Sequence, residues 1–269
     1  MSEKKHQLSA IYLVTCHTDH VGPGSTFVAI NGYEKNGIEF IDKAVEKGAT
    51  RIVLEHDDYR TEFDSYQDMG IVFSRVRDSR RALAELSALA LENPSSKLKI
   101  IGVTGTKGKT TTVFLIEHIL KSVGFKTAML GTICNRILND EYKTSLTTPN
   151  SDYLQMFFSE SVNRGVEYVV MEVSSNSILA ERVHGITFDQ VSFTNLASEH
   201  MDFHKTMEHY FRTKCRLFSQ VKKGGFIIVN CDDEWGQKAL GVAKEKKECQ
   251  TIALRLSDDF SQQKLCPSL

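Results

Sequence analysis

A glycine-rich segment, residues 102–112 with the sequence GVTGTKGKTTT, restricts the fold more than any other part of the chain. An apolar run typical of a buried strand, 98–103, precedes it, and residues 113–120, with helical spacing of apolar side chains, follow it. Strand, glycine loop and helix together are the context of a phosphate-binding loop, because glycines let backbone N–H groups approach an anion at a helix start. The strict pattern has a glycine where this chain has Val103, so the segment is a variant of that loop.

Two side chains of the loop carry chemistry in this pattern. Lys109 can reach the outer phosphates of a nucleotide, and the hydroxyl of Thr110 can ligate magnesium. An ordinary glycine-rich turn would not need Gly108, Lys109 and Thr110 at the point where the helix must start. We therefore expect a nucleotide site with magnesium here.

The composition argues against several classes of protein. The 269 residues are 41% hydrophobic and 25% charged with a net charge of −1, which is typical of a globular chain and argues against a general nucleic-acid binder. No stretch approaches the roughly 20 apolar residues of a membrane span, and no apolar signal-peptide core follows residues 1–7. Six scattered cysteines without a C-x-x-C pair favour free thiols in a reducing cytoplasm over a zinc site. We expect a cytoplasmic protein.

Strand and helix signals alternate along the chain, which predicts an α/β fold with two domains. In the first domain, residues 1–96, we expect strands at 26–30, 51–54 and 70–73 and helices at 37–47 and 79–92. The polar segment 93–97 contains a proline and is the expected linker. The glycine loop therefore opens a second domain, residues 97–269.

The second domain is expected to hold a mostly parallel sheet flanked by helices, with ligands at the carboxyl ends of its strands. The patterns predict strands at 98–103, 127–131, 167–173, 190–194 and 225–230, helices at 113–120, 152–164 and 207–221, and a turn at 140–145. The glycine loop, Glu172 and Asn195 all follow strands, so we expect them at one edge of this sheet.

Three polar groups are further candidates for chemistry. Glu172 ends a hydrophobic strand and is well placed to hold magnesium, although strand ends are often simply solvated. Two histidines and two acids within 194–204 could bind a metal, position a phosphate or act as a base, or form an ordinary polar loop. Lys214 follows Tyr210 by one helical turn, and a lone helical lysine is usually solvated.

Five motifs in order resemble the Mur ligases, which build the peptide of bacterial peptidoglycan. They are the glycine loop, 146–149 (LTTP), 171–175 (MEVSS), 194–204 (TNL, then EHMDFH) and 207–218 (MEHY, then Lys214 and LF). Residues 21–32 of the first domain resemble the nucleotide-sugar segment of the same family. The order and spacing are most similar to members that add the third amino acid to UDP-N-acetylmuramoyl-L-alanyl-D-glutamate.

The resemblance implies a role for each matching position. ATP and magnesium are the implied cofactors, and a UDP-muramoyl-peptide and an amino acid are the implied partners of a monomer. The ATP phosphates would be bound by Gly105, Thr106, Lys107, Gly108, Lys109, Thr110 and Thr111. Magnesium would be held by Thr110, Glu172 and His200, and the muramoyl peptide by Thr147, Thr148, Ser174 and Arg182. Lys109, His200 and Lys214 would be catalytic, with Lys214 carbamylated to N6-carboxylysine.

The implied reaction activates a carboxylate. The substrate carboxylate attacks the γ-phosphate of ATP to give an acyl phosphate, and the incoming amine displaces phosphate to form an amide. Neutralisation of charge by magnesium and Lys109, with alignment, would supply most of the catalysis. Carbamylation would turn the Lys214 cation into an anionic oxygen ligand that supports the metal site.

The chain departs from the family pattern at two places. An Asp-Ser-Arg triplet usually precedes the segment that begins at Val21, whereas this chain has His17, Thr18 and Asp19, which leaves its uridine contacts open. Glu199 stands where the family usually has aspartate.

Family members also carry a C-terminal domain that supplies the amino-acid pocket and part of the ATP site. Residues 257–269 are polar and show no sign of it. The sequence therefore suggests a shortened product, a fragment or a gene remnant, with weak or absent turnover and retained phosphate binding.

Two alternatives stay open. A folylpolyglutamate synthetase shares the central domain, but its first domain is normally the ATP domain itself, so segment 21–32 argues against it. The other is a non-catalytic nucleotide- or muropeptide-binding remnant, which intact Lys109, Glu172, His200 and Lys214 disfavour without excluding. The amino acid that is added cannot be read from the sequence.

Overall fold

The apolar runs of the chain form two separate sheets in the computed structural model, which describes residues 6–32, 35–198 and 205–256. The first sheet is parallel throughout and follows chain order: β1 (Val14–Thr15), β2 (Thr26–Val28), β3 (Arg51–Glu55) and β4 (Val72–Val76). Its helices are α1 (Ile41–Glu46), α2 (Asp64–Asp68) and α3 (Ser79–Ala90). The side chains of Phe27, Ile41 and Ile52 pack in one apolar core between these elements.

The second sheet has eight strands in the order β12-β11-β10-β5-β9-β6-β7-β8. These are β5 (Lys99–Thr104), β6 (Thr127–Leu130), β7 (Asn135–Ile137), β8 (Asp140–Tyr142), β9 (Tyr168–Glu172), β10 (Phe188–Phe193), β11 (Val221–Asn230) and β12 (Gln250–Leu254). Strand β7 pairs in antiparallel orientation with β6 and with β8, and all other neighbouring strands pair in parallel. The α/β prediction with a mostly parallel sheet is confirmed.

Helices cover both faces of the second sheet, as burial of a parallel sheet requires. They are α4 (Lys109–Ser122), α5 (Ser151–Asn163), α6 (Ser175–Leu179), α7 (Met207–Cys215) and α8 (Glu234–Lys244). Ile101 packs with Val113 of α4 on one face, while its neighbour Ile100 packs with Phe157 of α5 on the other. Successive strand residues point to opposite faces, so this short apolar run fills two cores. No helix within the described ranges is both long and apolar enough to cross a membrane.

Two predicted elements were wrong, and several elements of the structure were not predicted. The turn expected at 140–145 begins instead as β8, because Tyr142 is 4% exposed and packs into the core while β8 pairs with β7. The helix expected at 207–221 is α-helical only to Cys215, continues as a 3-10 turn over Arg216–Gln220, and Val221 starts β11. The short strand β1, helix α8 and edge strand β12 were not predicted.

A buried carboxylate of helix α5, beside the second sheet, bonds strand β1 of the first sheet. Asp152 of α5 accepts hydrogen bonds from the Thr15 hydroxyl at 2.8 Å and the Cys16 N–H at 3.3 Å. Burial, followed by the charge of Asp152, raises the pKa of the Cys16 thiol well above its usual range, so the thiol stays neutral. A second contact runs from Arg81 of α3 to Glu181, which follows α6.

The Asp152 contact should contribute measurably to stability. We expect Asp152→Ala to lower the free energy of unfolding by about 2 kcal/mol, because the buried Thr15 hydroxyl and the partly buried Cys16 N–H lose a charged acceptor. Urea denaturation followed by circular dichroism measures this. Asp140→Ala is the matched control, because that carboxylate pairs with Arg164 on the surface and its loss should matter much less. Equal effects of the two substitutions would contradict the role given to Asp152.

Candidate active site

The glycine loop connects β5 to α4, and steric constraints require a glycine at position 105. Gly105 has a φ of +148°, and a Cβ there would lie 1.9 Å from the Thr194 hydroxyl oxygen. The residues after β10 hold the loop in place: Thr106 N–H donates to the Asn195 carbonyl, and Lys107 N–H to the Asn195 side-chain oxygen, both at 2.9 Å. The loop is therefore built jointly by two neighbouring strands of the sheet.

Two lysines turn their ammonium groups toward this loop. Lys109 Nζ donates to the carbonyl oxygens of Gly105 and Thr106 at 3.0 and 2.9 Å. Lys214 of α7 reaches the same Gly105 carbonyl at 2.8 Å and lies 4.6 Å from the ring centroid of Tyr210. Lys214 is only 1% exposed, so it is not the solvated lysine that is usual on a helix. Both lysines are at positions where a bound anion would meet positive charge.

Glu172 is the centre of a hydrogen-bond cluster beside the loop. Its carboxylate accepts from the Thr110 hydroxyl at 2.9 Å, the Thr132 N–H at 2.8 Å and the Thr132 hydroxyl at 3.2 Å. Glu172 is 1% exposed, so it is a buried, oriented carboxylate and not a solvated strand end. The tight space requires Gly131, where a Cβ would come within 2.5 Å of a carboxylate oxygen. A carboxylate and a hydroxyl 2.9 Å apart are hard oxygen donors that fit magnesium.

The four residues expected to bind substrate lie on the other side of Glu172. Thr147 shares a 3.0 Å hydrogen bond with Thr132, and the Thr148 hydroxyl donates to the Glu172 carbonyl at 2.9 Å. Ser174 N–H donates to the Thr148 hydroxyl at 3.1 Å, and Arg182 Nη1 to the Thr148 carbonyl at 2.9 Å. These residues are therefore grouped in the structure, although their spacing in the chain is wide.

One cleft of about 410 Å³ connects the two groups. It is lined by Thr106, Lys107, Gly108, Lys109, Thr110, Thr132, Leu146, Thr147, Thr148, Glu172, Ser174, Ser175, Asn176, Arg182, Tyr210 and Lys214. The cleft has room for a polyphosphate beside a second anionic ligand, and two lysines and a buried carboxylate line it.

Part of the expected site lies outside the described residues. His200, expected to ligate magnesium and to act in catalysis, falls there together with Glu199, Asp202 and His204. Thr111, expected at the phosphates, is an exposed residue in the first turn of α4. Across the described ranges, no group of three or more His, Cys, Asp or Glu side chains is arranged to hold a metal ion.

The sequence analysis assigned no role to Thr132 or Asn176. Thr132 lies two residues after the end of β6, and its position at the carboxyl end of a strand was a usable signal. That it donates twice to Glu172 depends on the order of the strands, which the sequence pattern did not supply.

The unusual triplet at residues 17–19 forms its own charged cluster. The Asp19 carboxylate lies 3.7 Å from the ring of His17 and 3.8 and 3.6 Å from the ammonium groups of Lys43 and Lys47. His17 first, then the two lysines, hold the pKa of Asp19 below its usual range. The carboxylate is therefore ionised at neutral pH and neutralises charge at the edge of the first sheet.

Both parts of the chain match known families. Residues 103–264 match the Mur ligase middle domain, and residues 10–90 match the catalytic domain of the Mur ligase family. The chain is 38% identical to the UDP-N-acetylmuramoyl-L-alanyl-D-glutamate–2,6-diaminopimelate ligase of Clostridium perfringens over 260 residues, which are 96% of this chain and 52% of the relative. It therefore spans about half the length of the curated relatives it matches.

Solved structures share the fold. A structure of UDP-N-acetylmuramoyl-L-alanyl-D-glutamate–2,6-diaminopimelate ligase superimposes with a TM-score of 0.77 at 24% identity, covering 93% of this chain and 49% of the other. The MurF ligase from Thermotoga maritima in complex with ADP gives a TM-score of 0.60 at 21% identity, covering 91% and 51%.

The strained glycine gives a direct test of the loop. We expect Gly105→Ala to reduce the affinity for magnesium–ATP at least tenfold, because a Cβ would displace Thr194 and the loop that depends on it. Calorimetric titration measures the affinity. Gly124→Ala is the control, since Gly124 also has a positive φ of +95° but its Cβ would meet nothing within 4 Å. Unchanged binding by Gly105→Ala would show that the loop does not bind phosphate.

Proposed function

The chain belongs to the Mur ligase family, and from this we propose that it is the ATP- and UDP-muramoyl-peptide-binding part of an ATP-dependent amide ligase. The reaction is addition of the third amino acid to UDP-N-acetylmuramoyl-L-alanyl-D-glutamate in peptidoglycan precursor synthesis. We propose residues 1–96 as the nucleotide-sugar domain and 97–269 as the ATP domain. We also propose a monomer in the bacterial cytoplasm, binding no nucleic acid.

One observation carries the proposal. The buried carboxylate of Glu172 touches the Thr110 hydroxyl of the glycine loop through its side chain, while its carbonyl accepts from Thr148 of the substrate group. A single residue therefore lies between the two ligands that such a ligase must bring together. Effective alignment of two reactants is a large part of what a phosphoryl-transfer site must supply.

The chemistry assigned to these residues is carboxylate activation. An oxygen of the substrate carboxylate attacks the γ-phosphorus of ATP, the bond to the bridging oxygen breaks, and ADP leaves with that bond's electron pair. The amine then attacks the acyl carbon, phosphate leaves, and the amine loses a proton. Lys109 moves from the loop carbonyls to the phosphate oxygens, and Arg182 and Thr148 orient the carboxylate-bearing substrate.

Magnesium would be held by Thr110 and Glu172, with His200 as the third proposed ligand. When bound it neutralises phosphate charge. We also propose that Lys214 is carbamylated. Its nitrogen would keep an N–H for the Gly105 carbonyl, and the added carboxylate would replace a buried cation with an anion that can support the metal site.

The alternatives are less well supported. The parallel sheet β1–β4 precedes the glycine loop, which does not fit a folylpolyglutamate synthetase, whose first domain is normally the ATP domain. A non-catalytic binding protein would use the same cleft, and only turnover separates it from a ligase. Phosphate release with muramoyl dipeptide and each candidate amino acid makes that distinction.

Binding of both ligands by this chain is the first expected result. We expect ATP with magnesium, and separately UDP-N-acetylmuramoyl-alanyl-glutamate, to give saturable calorimetric titrations. Lys109→Ala should weaken ATP binding at least tenfold, equal to about 1.4 kcal/mol, because the phosphates lose their closest cation.

Lys121→Ala is the matched control, because that lysine lies at the far end of the same helix and bonds Asn139. Binding of ATP alone would contradict the muramoyl-peptide assignment and direct attention to residues 17–19. Binding of neither ligand would contradict the proposal as a whole.

A further inference from the structure

Asn176 lines the cleft, and nothing above gives it a role. It lies in α6, two residues after the Ser174 cap, and its side-chain oxygen Oδ1 is buried without a hydrogen-bond partner. Five side-chain atoms in the described residues share this property, and Asn176 is the one whose residue lines the cleft. The residue that carries this unpaired acceptor therefore lines the cleft, and its buried oxygen must turn towards the cleft to meet a ligand.

Two hydroxyls around α6 already have other acceptors. The Ser177 hydroxyl donates to the Ser174 carbonyl at 2.6 Å, and the Thr148 hydroxyl donates to the Glu172 carbonyl at 2.9 Å. The main-chain carbonyl of Asn176 itself accepts from the Ala180 N–H at 2.9 Å, so this oxygen is paired while the side-chain oxygen is not.

Such an arrangement is costly in a protein without ligand. A buried amide oxygen that has lost water and gained no partner costs about 1–3 kcal/mol, and native proteins keep few of them. An apolar side chain of similar shape would remove this cost. The presence of asparagine therefore points to a donor that arrives with a ligand.

The chemistry of an acceptor limits which ligand group this can be. Phosphate and carboxylate oxygens at neutral pH carry no proton to donate, so the nucleotide phosphates and the reacting carboxylate do not satisfy Asn176. An amide N–H does. Asn176 lies two residues after Ser174, whose N–H donates to the Thr148 hydroxyl of the substrate group, so a peptide N–H of the second substrate is the donor that this position favours.

We propose that Asn176 is a substrate-binding, specificity-determining residue whose Oδ1 accepts a hydrogen bond from a peptide N–H of the muramoyl peptide. This rests on the proposed function and adds a selection rule to it. A site that buries an acceptor rejects a substrate lacking the donor, because the acceptor is then left unpaired in the complex. The chain should therefore distinguish a peptide from the corresponding ester.

The test is a thermodynamic cycle between protein and ligand. The protein variant is Asn176→Leu, which keeps the approximate shape and removes the acceptor. The ligands are UDP-N-acetylmuramoyl-alanyl-glutamate and two analogues in which an ester oxygen replaces either the lactoyl–alanine or the alanine–glutamate N–H. Calorimetry measures each affinity, and thermal denaturation measures the stability of the ligand-free protein.

We expect Asn176→Leu to bind the peptide ligand at least tenfold more weakly, with ATP affinity within twofold and a Tm that does not fall. One of the two esters should bind the unaltered chain equally weakly and lose nothing further on Asn176→Leu. That pattern identifies the N–H that Asn176 accepts from.

Gln155→Leu is the matched control. Its side-chain oxygen is also buried without a partner, but it lies in α5 and does not line the cleft, so neither affinity should change. Equal peptide affinity of Asn176→Leu and the unaltered chain would overturn the inference, and so would parallel losses of peptide and ATP affinity with a lowered Tm. If the unaltered chain binds no muramoyl dipeptide, the proposed function itself fails and this inference fails with it.

Discussion

The cleft depends on the way in which the residues after β10 hold the loop after β5. Asn195 receives two N–H groups of the loop, one on its main-chain carbonyl and one on its side-chain oxygen. Thr194 fills the space that a Cβ at Gly105 would need, and its hydroxyl donates to the Lys107 carbonyl at 2.7 Å. The loop carbonyls then point where Lys109 and Lys214 can bond them. A loop held by its glycines alone would be flexible, whereas the residues after the neighbouring strand β10 hold this loop in one conformation.

Strand order extends the same constraint to the rest of the site. β9 lies between β5 and β6, so the carboxylate at its end meets the loop after β5 on one side and Thr132 after β6 on the other. Parallel strands bring all three carboxyl ends to one edge. Glu172 is thereby oriented before any metal or substrate binds, which is the condition for electrostatic catalysis with little reorganisation. Asn176 lines the same cleft, and its unpaired side-chain oxygen lowers the stability of the ligand-free protein.

Local pattern was enough for the elements that surround the phosphate loop. The apolar run before it and the helical spacing after it predicted β5 and α4, and strand endings predicted that Glu172 and Asn195 would share an edge with the loop. Pattern failed where pairing or burial over long distances decides. The segment holding β8 is polar, and only its place beside β7 and the burial of Tyr142 make it a strand. Helical spacing alone would suggest a solvated lysine at Lys214, because nothing local shows that α7 turns this side chain inward. The hydrogen bonds from Thr132 to Glu172 depend on strand order, and the unpaired oxygen of Asn176 depends on how the hydroxyls around it are bonded. The periodicity of a single sequence encodes neither.

We propose that one cleft brings a nucleotide γ-phosphate and a substrate carboxylate together across Glu172. A crystal structure of this chain with a non-hydrolysable ATP analogue, magnesium and UDP-N-acetylmuramoyl-alanyl-glutamate tests this most directly. We expect the triphosphate on residues 105–111 and a carboxylate oxygen of the glutamate about 3.5 Å from the γ-phosphorus, within reach of attack. A muramoyl peptide bound away from Thr148 and Arg182, or a carboxylate pointing away from the phosphate, would contradict it.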